Sequence, residues 1–559
     1  MTLNFNKHKN DLIFVPLGGS GEIGLNLNLY QYQGKWLMVD LGCGFADDYL
    51  PGVDVIVPDI SFITKHRENL LGIVITHSHE DHLGAVQYLW HELRVPVYAT
   101  PFTSSFLKAK LTDSFGDNAG VLIKEFQPDS SLELGPFKIQ SVSLNHSSPE
   151  MQALFIKTEA GNIFHTGDWK FDHDPIVGLP NNDEVLKSIG DQGVLAMVCD
   201  STNVFNEEYS GSEGDLRESL VKLVAECKNL VTITTFASNL ARVETVLYAA
   251  QQAGRKVVIA GKSLWRIIQA ATDSGYFKEM PEFIDERNIG QYPKKEILLL
   301  CTGCQGEQFA AATKIANNAH PNIKFSPGDT IIFSSKIIPG NDKKIFRLFN
   351  LFVKMGVEVL TERDHFVHVS GHPGRKELKK MYELIRPQVA VPVHGELTHM
   401  HYHAKFAREI GIKQALEVEN GDVLHLSATD KSMKLGVVEA GYLGVDGLYL
   451  LPPKSPIMQA RRKMRASGCV FVSIILSPQK GLLCNPILKT PGVLDQIEDK
   501  ALVNEMIDEI REAVESKLEF KAGRINREDL NNTTRSIVRK IIKRETNKEP
   551  MVECHIEIM

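Results

Sequence analysis

The chain has 559 residues, with 62 Lys+Arg against 69 Asp+Glu and a formal net charge of -7. At roughly 150 residues per domain that length holds about three or four domains, and 43% hydrophobic with 23% charged residues excludes a disordered chain. The balance excludes a uniformly basic nucleic-acid binder but not a local basic patch, because the distribution of charge is what steers a polyanion.

The N-terminus, MTLNFNKHKNDLIFVP, has no apolar run after its charges, so no signal peptide is expected. No stretch approaches the ~18 consecutive apolar residues of a membrane span, and a cytoplasmic protein without membrane association is expected. Eight scattered cysteines lack the dense spacing of a secreted disulfide framework and read as reduced thiols. Cys301 and Cys304 form the single CxxC, with no second pair to complete a zinc knuckle.

In chain order, strand-like runs cover residues 12–17, 25–31, 36–41 and 72–76, the last followed by a polar loop and a helix-like stretch over 83–93. Short β-branched runs follow at 95–99, 137–144 and 153–157. From about 214 to 363 helix-like stretches (220–227, 243–253) alternate with apolar strands at 231–235, 256–260, 296–301 and 330–333. Continuous apolar strands spaced by helices predict a buried parallel sheet. Residues 441–456 form a loose stretch with three prolines and three glycines, and beyond it lie a strand at 470–476 and helices at 497–518 and 527–544. The pattern predicts an α/β layered protein.

Nineteen histidines are unevenly placed: one group runs from His66 to His173, another from His365 to His403, and none lies between 174 and 319. If the two groups build one site, the middle is an insertion that leaves its parent domain and returns.

The strongest motif is HSHEDH, His77 to His82, directly after the strand GIVIT. A loop leaving a buried strand can turn His77 and His79 toward one ion and Asp81 and His82 toward a second. Imidazole and carboxylate ligands suit zinc and also manganese. Two ions need more ligands than one loop supplies. His146 in SLNHSSPE, Asp168 in IFHTGDWK and His394 in VAVPVHGE each follow an apolar strand. Singly, a histidine there is more often structural than a ligand, and an aspartate there also reads as a turn or cap residue. Together, four strand ends offer a dinuclear site, and an aspartate can bridge two cations because each oxygen presents lone pairs.

Gly19, Gly21 and Gly24 spell GxGxxG, the dinucleotide fingerprint, with Asp40 near the spacing of its acidic partner. That motif must open a helix, whereas LNLNLYQYQGKWLMVD reads as a hairpin; a tight turn beside the metal site is expected. In HVSGHPG and FASN, Ser370, Gly371, His372 and Ser238 offer hydroxyls, an imidazole and a glycine N–H suited to a phosphate, with a turn and capping serines as the lesser alternative.

HSHEDH, His146, Asp168 and His394 together resemble the metallo-β-lactamase fold in its nucleic-acid-cutting branch, the β-CASP group, and over nearly the whole chain the sequence is similar to the ribonuclease J family of bacteria. PLGGSGEIG, CDSTN (199–203), FASN with Arg242, TGCQGE (302–307), IIPGN (337–341) and HVSGHPG (368–374) carry the likeness. Cys304, where serine is commoner, and Asp342, where glutamate is usual, depart from it. The resemblance implies a metallo-β-lactamase αββα sandwich with an inserted β-CASP α/β domain and a small α/β C-terminal domain. Its boundaries would be 1–213 and 364–440 for the sandwich, 214–363 for the insertion, 441–459 for a linker and 460–559 for the last domain.

The resemblance also implies two zinc ions per subunit, or manganese in their place. His77, His79 and His146 would hold one, Asp81, His82 and His394 the other, with Asp168 bridging and Asp81 counted as catalytic. Asp200 would orient His368, which would protonate the leaving 3′ oxygen. Ser238, Ser370, Gly371 and His372 would receive the 5′-monophosphate of single-stranded RNA. The implied activity is 5′→3′ exonucleolytic and endonucleolytic cleavage in mRNA turnover and rRNA maturation, by a homodimer or homotetramer.

Residues 460–559 hold 18 Lys+Arg against 15 Asp+Glu, leaving 44 against 54 in residues 1–459. Within 521–544 there are eight basic residues and two acids, either a solvated helix face or an RNA contact. Two other functions fit parts of the pattern. A non-catalytic scaffold subunit of a ribonuclease complex should have lost ligands, and every position is filled. A small-molecule hydrolase on this fold needs neither the insertion nor the C-terminal domain. A DNA-cutting β-CASP enzyme is disfavoured by TGCQGE and GEIG.

Overall fold

A computed structural model describes residues 4–116, 120–277, 281–338, 340–520 and 526–559. The chain divides into two compact units, Met1–Gly44 with Val57–Gly441, and Phe45–Ile56 with Tyr442–Met559.

Two sheets form the base of the first unit. One has eight strands in the order Met433–Val437, Asp422–Leu426, Leu12–Gly18, Leu27–Tyr32, Lys35–Val39, Leu70–Val74, Val97–Ala99 and Ile123–Glu125. The other has seven: Ser131–Leu134, Phe137–Ser143, Gln152–Thr158, Gly161–His165, Ala196–Asp200, Val389–Val393 and Gln414–Ala415. Central strands are apolar throughout because both faces are covered; every position of Leu12–Gly18 and Val389–Val393 is buried. Phe14, Tyr30, Leu37 and Val39 of one sheet share a core with Ile139, Leu154, Ile156 and Val198 of the other. On the far side of the seven-stranded sheet, Phe155, Phe164, Met197 and Ala390 pack with Leu186, Met381 and Ala407 of the helices Asp183–Asp191, Arg375–Ile385 and Leu397–Glu409.

Strand direction places the site. Gly161–His165, Ala196–Asp200 and Val389–Val393 are mutually parallel neighbours, as are Lys35–Val39 and Leu70–Val74 in the facing sheet. Parallel neighbours deliver the loops at their carboxyl ends to one edge. The predicted ligand positions lie just beyond these ends.

Between Ala196–Asp200 and Val389–Val393 the chain makes the excursion that the histidine gap predicts. It holds a six-stranded sheet, in the order Phe283–Ile284, Lys256–Ala260, Ile297–Cys301, Val231–Thr234, Thr330–Phe333 and Glu358–Leu360, with every neighbouring pair parallel. One buried ion pair ties it to the returning chain. Arg242 is fully buried and donates to both Glu213 oxygens at 3.0 and 3.1 Å, to Ser334 Oγ at 2.6 Å and to the Val367 carbonyl at 3.3 Å. Val367 immediately precedes HVSGHPG. All eight cysteines are free; burial pushes the Cys301 thiol up to about 12.

In the second unit the strand Cys469–Ser477 pairs parallel with Met551–Ile558, and Lys500–Phe520 and Arg527–Thr546 are helices. Val470, Val472 and Ile474 share a core with Met506, Ile510, Val538 and Ile542. The stretch read from sequence as a linker, 441–459, is structured: it contains the strands Tyr442–Asp446 and Tyr449–Leu451 and the start of the helix Pro456–Ser467. Its Leu451 and Met458 bury against Leu50 and Val53, a long-range contact that three prolines and three glycines conceal in sequence. In the basic segment, 521–525 lie outside the described residues, and Arg535 and Arg544 pair with Glu553 and Glu505 at 3.3 and 2.8 Å. No described helix is long and apolar enough to cross a membrane.

Arg242→Ala leaves Glu213 as an uncompensated buried charge, a loss of about 3–5 kcal/mol. We expect a lower urea midpoint for the first unit and faster proteolytic cleavage near Val367, both measurable against the intact chain.

Candidate metal centre

HSHEDH begins where Leu70–Val74 ends, and its last residues wind into the short helix Glu80–Leu83. Asp40, at the end of WLMVD, fixes this turn. Its carboxylate accepts the Thr76 N–H at 2.8 Å and Thr76 Oγ1–H at 3.0 Å, and lies 2.7 Å from His82 Nδ1. Asp40 thereby orients the His82 ring so that Nε2 faces inward. The sequence weighed Asp40 only as a nucleotide-binding acid, although an aspartate closing an apolar strand is the signal that also marks Asp168. Gly42 is held to glycine by contact: a Cβ there would lie 1.7 Å from the Asp81 carbonyl oxygen. Gly19, Gly21 and Gly24 have φ of +83°, +99° and +102° and lead into the strand Leu27–Tyr32, so the GxGxxG string is a turn and not a nucleotide loop.

The structure brings all seven predicted ligands together. His77, His79, His146 and Asp168 form one group, and Asp81, His82, Asp168 and His394 a second, the ligand atoms of each lying within 4.8 Å of one another. Asp168 Oδ2 is central to both, 3.1 Å from His82 Nε2, 3.2 Å from His394 Nε2, 3.8 Å from His146 Nε2 and 3.9 Å from His77 Nε2. His146 donates Nδ1–H to the Gly371 carbonyl at 2.6 Å, leaving Nε2 to point inward.

The donor set fits cations. His77 Nε2, His79 Nε2 and Asp168 Oδ1 are buried and have no hydrogen-bond partner among the described residues. Buried polar atoms left so cost about 1–3 kcal/mol each, and all three belong to residues of one ligand group. Burial, with the neighbouring rings, holds His77 and His146 well below the ordinary imidazole range, and burial holds His79 at about 4. These rings are therefore neutral, the form that ligates. Burial opposes charge on His82 and His394 as well, but Asp168 and its neighbouring carboxylates outweigh it and raise both.

Against this centre Asp200 pairs with His372, and the two cluster with Asp168 and His394, their ligand atoms within 4.8 Å of one another. Asp200 Oδ2 lies 2.8 Å from His372 Nδ1, and its Oδ1 accepts the Thr202 N–H at 2.8 Å. Burial works against a charged His372, yet Asp200, Asp168 and Asp81 raise it to about 9.

Residues 51–187 match the beta-lactamase superfamily domain and 356–416 the Zn-dependent metallo-hydrolase RNA specificity domain. Residues 228–352 match the ribonuclease J beta-CASP domain and 456–557 the ribonuclease J C-terminal domain. The chain is 40% identical to ribonuclease J of Sinorhizobium meliloti over 98% of its own length and 97% of that protein's. The chain belongs to the ribonuclease J family. It is 32% identical to ribonuclease J2 of Bacillus subtilis over 98% of each chain. A crystal structure of a protein of unknown function from Enterococcus faecalis shares the fold, with a TM-score of 0.51 and 17% identity over 74% of this chain and 99% of that one.

One expectation from the family likeness is corrected by the geometry. Asp200 pairs with His372 and not with His368. The turn between them is the cause: Ser370 Oγ accepts the His372 N–H at 3.1 Å, and Gly371 lies so close to His146 that a Cβ would be 2.9 Å from its Cε1. This turn carries His372 to Asp200 and leaves His368 on the other side, where its buried Nδ1 has no partner among the described residues. Burial, then Arg242, Lys336 and Lys170, hold His368 well below the ordinary imidazole range. HVSGHPG has two histidines four apart, and sequence alone does not say which faces the acid. Of the residues assigned to the phosphate, Gly371 touches His146, Ser370 bonds to the His372 backbone, and His372 pairs with Asp200. Ser238 is half-buried in the turn before Leu240–Gln252, and its hydroxyl has no hydrogen bond among the described residues. In IIPGN, Pro339 lies outside the described residues.

Asp40→Asn removes the carboxylate that orients His82. Cation affinity should fall about 10- to 100-fold, read by competition with a metal-sensitive chelator dye; unchanged affinity would remove Asp40 from the site.

Proposed function

We propose that this chain is a metal-dependent ribonuclease that binds two zinc ions and degrades single-stranded RNA from a 5′-monophosphate end, with internal cleavage as a second mode. The observation that carries this reading is the sharing of Asp168 by two ligand groups, within which His77 Nε2, His79 Nε2 and Asp168 Oδ1 are buried with no hydrogen-bond partner among the described residues. His77, His79 and His146 would hold one cation, and Asp81, His82 and His394 the other. When bound, such a pair supplies Lewis acidity toward a phosphodiester and an acidified water to attack it.

The remaining work falls to side chains. His372, held in place by Asp200, keeps a proton beside the centre and would deliver it to the leaving 3′ oxygen. Thr202 fixes the other side of this pair by donating from Oγ1 to the His394 carbonyl at 3.0 Å. Ser238, Ser370 and Gly371 would receive the 5′ phosphate. The resemblance further supports a homodimer or homotetramer acting in the cytoplasm in mRNA turnover and rRNA maturation. A scaffold role is disfavoured by the complete ligand set. A small-molecule hydrolase is disfavoured by the match of 228–352 to the ribonuclease J beta-CASP domain.

One RNA made with monophosphate, triphosphate or hydroxyl 5′ ends tests the reading. Mononucleotide release from the monophosphate form alone is expected, lost with chelator and in Asp81→Ala. Metal-dependent cleavage that survives Asp81→Ala would refute the site.

His372→Ala should lower kcat by about 10²- to 10⁴-fold. Because Asp200 raises the His372 pKa, the acid is protonated at neutral pH and lost as pH rises. Asp200→Asn should therefore move the alkaline limb of kcat to lower pH, and an unmoved limb would reassign the acid.

A further inference from the structure

We propose that Phe205, His399 and Tyr402 form a stacking platform for an unpaired base of the RNA strand, close to the scissile phosphate. The inference rests on the ribonuclease reading and adds a contact that reading does not contain. Phe205 is 51% exposed and Tyr402 is 42% exposed, yet their rings are held in place. The Phe205 ring centroid is 4.9 Å from that of His399 and 5.3 Å from that of Tyr402, at 59° and 64°. Such edge-on packing fixes a ring while leaving surface open to water. His399 and Tyr402 lie three residues apart on the helix Leu397–Glu409, hence on one face.

Both supports grow out of the catalytic strand ends. The helix follows His394 after two residues, and a Cβ on Gly395 would be 2.9 Å from His399 Cβ and 3.3 Å from Ser201 Cβ. Phe205 sits on the turn after Asp200, which is pinned on two sides of the centre: Thr202 donates to the His394 carbonyl at 3.0 Å, and Asn203 Nδ2 to the His372 carbonyl at 3.1 Å. Three residues beyond Thr202, Phe205 reaches at most about 11 Å from it. Thr202 itself touches the carbonyl of the ligand residue His394, so the platform meets a base a few nucleotides from the cut. A base suits it because every base has a π face, so stacking holds the strand without selecting sequence. The acids on the same loop do not bar a polyanion: Glu207 and Glu208 face Arg375 and Lys376.

The test is fluorescence anisotropy of a short, unstructured, 5′-monophosphorylated RNA with the full-length chain, in chelator to hold cleavage off. Phe205→Ala and Tyr402→Ala should each weaken binding about tenfold, while Phe205→Trp retains wild-type affinity. With metal restored, the loss in Phe205→Ala should fall on KM rather than kcat. Abasic substitution at one position near the cut should weaken the wild type by a similar factor and Phe205→Ala no further. Equal affinity across the variants would overturn the platform. So would a change confined to molecular mass in light scattering, which would assign the rings to a second copy of the chain. An RNA that the wild type neither binds nor cuts would sink the ribonuclease reading, and the platform with it.

Discussion

A single buried carboxylate organises this molecule. Asp168 Oδ2 lies within 3.9 Å of five imidazole nitrogens that arrive on four separate loops. A buried carboxylate is costly by several kcal/mol unless positive partners surround it. The partners here are rings at fixed depth, so the strands that carry them must end at one edge. Parallel pairing of Gly161–His165, Ala196–Asp200 and Val389–Val393 meets that requirement. The backbone bends to suit: Asp40 and His394 adopt φ of +64° and +52°, left-handed values in which aspartate and histidine are enriched among non-glycine residues. Both side chains point into the centre, where the interactions hold them.

The same constraint explains how the insertion is tolerated. The chain departs after Asp200 and returns to supply His394, so any looseness in the inserted sheet would reach the ligand set. Arg242 removes that looseness at its return point by fastening Glu213, Ser334 and Val367 together. HVSGHPG follows at once, and its turn at Gly371 supports His146. At this return point the inserted sheet and the metal centre are therefore mechanically connected through a few residues.

Much of this is legible in the sequence, for a physical reason. Ligands that follow apolar strands are recognisable because burial on both faces forces an uninterrupted hydrophobic run, and HSHEDH, IFHTGD and VAVPVH all show it. The inserted parallel sheet is legible on the same ground. What escapes is set by turns and distant partners. Nothing in HVSGHPG tells that Gly371 must abut His146, so the family likeness pairs Asp200 with His368 where the structure pairs it with His372. Asp40 reads as part of a glycine-rich decoy because its partners, Thr76 and His82, lie about 40 residues away. The strand Met551–Ile558 passes unremarked, since its pairing with Cys469–Ser477 is made across two intervening helices.

The short excursion Phe45–Ile56, grouped with the far end of the chain, changes what counts as a module. Leu50 and Val53 have their apolar company in Leu451 and Met458. Truncation near Gly441 would therefore strand that excursion without its core. Residues Gly42 and Cys43, against which Asp81 and Glu80 are packed, stand immediately before it. The last hundred residues are thus covalently distant from the catalytic turn yet not severable from it by one cut, and any shuffling of this domain between relatives would have to carry two pieces of sequence at once.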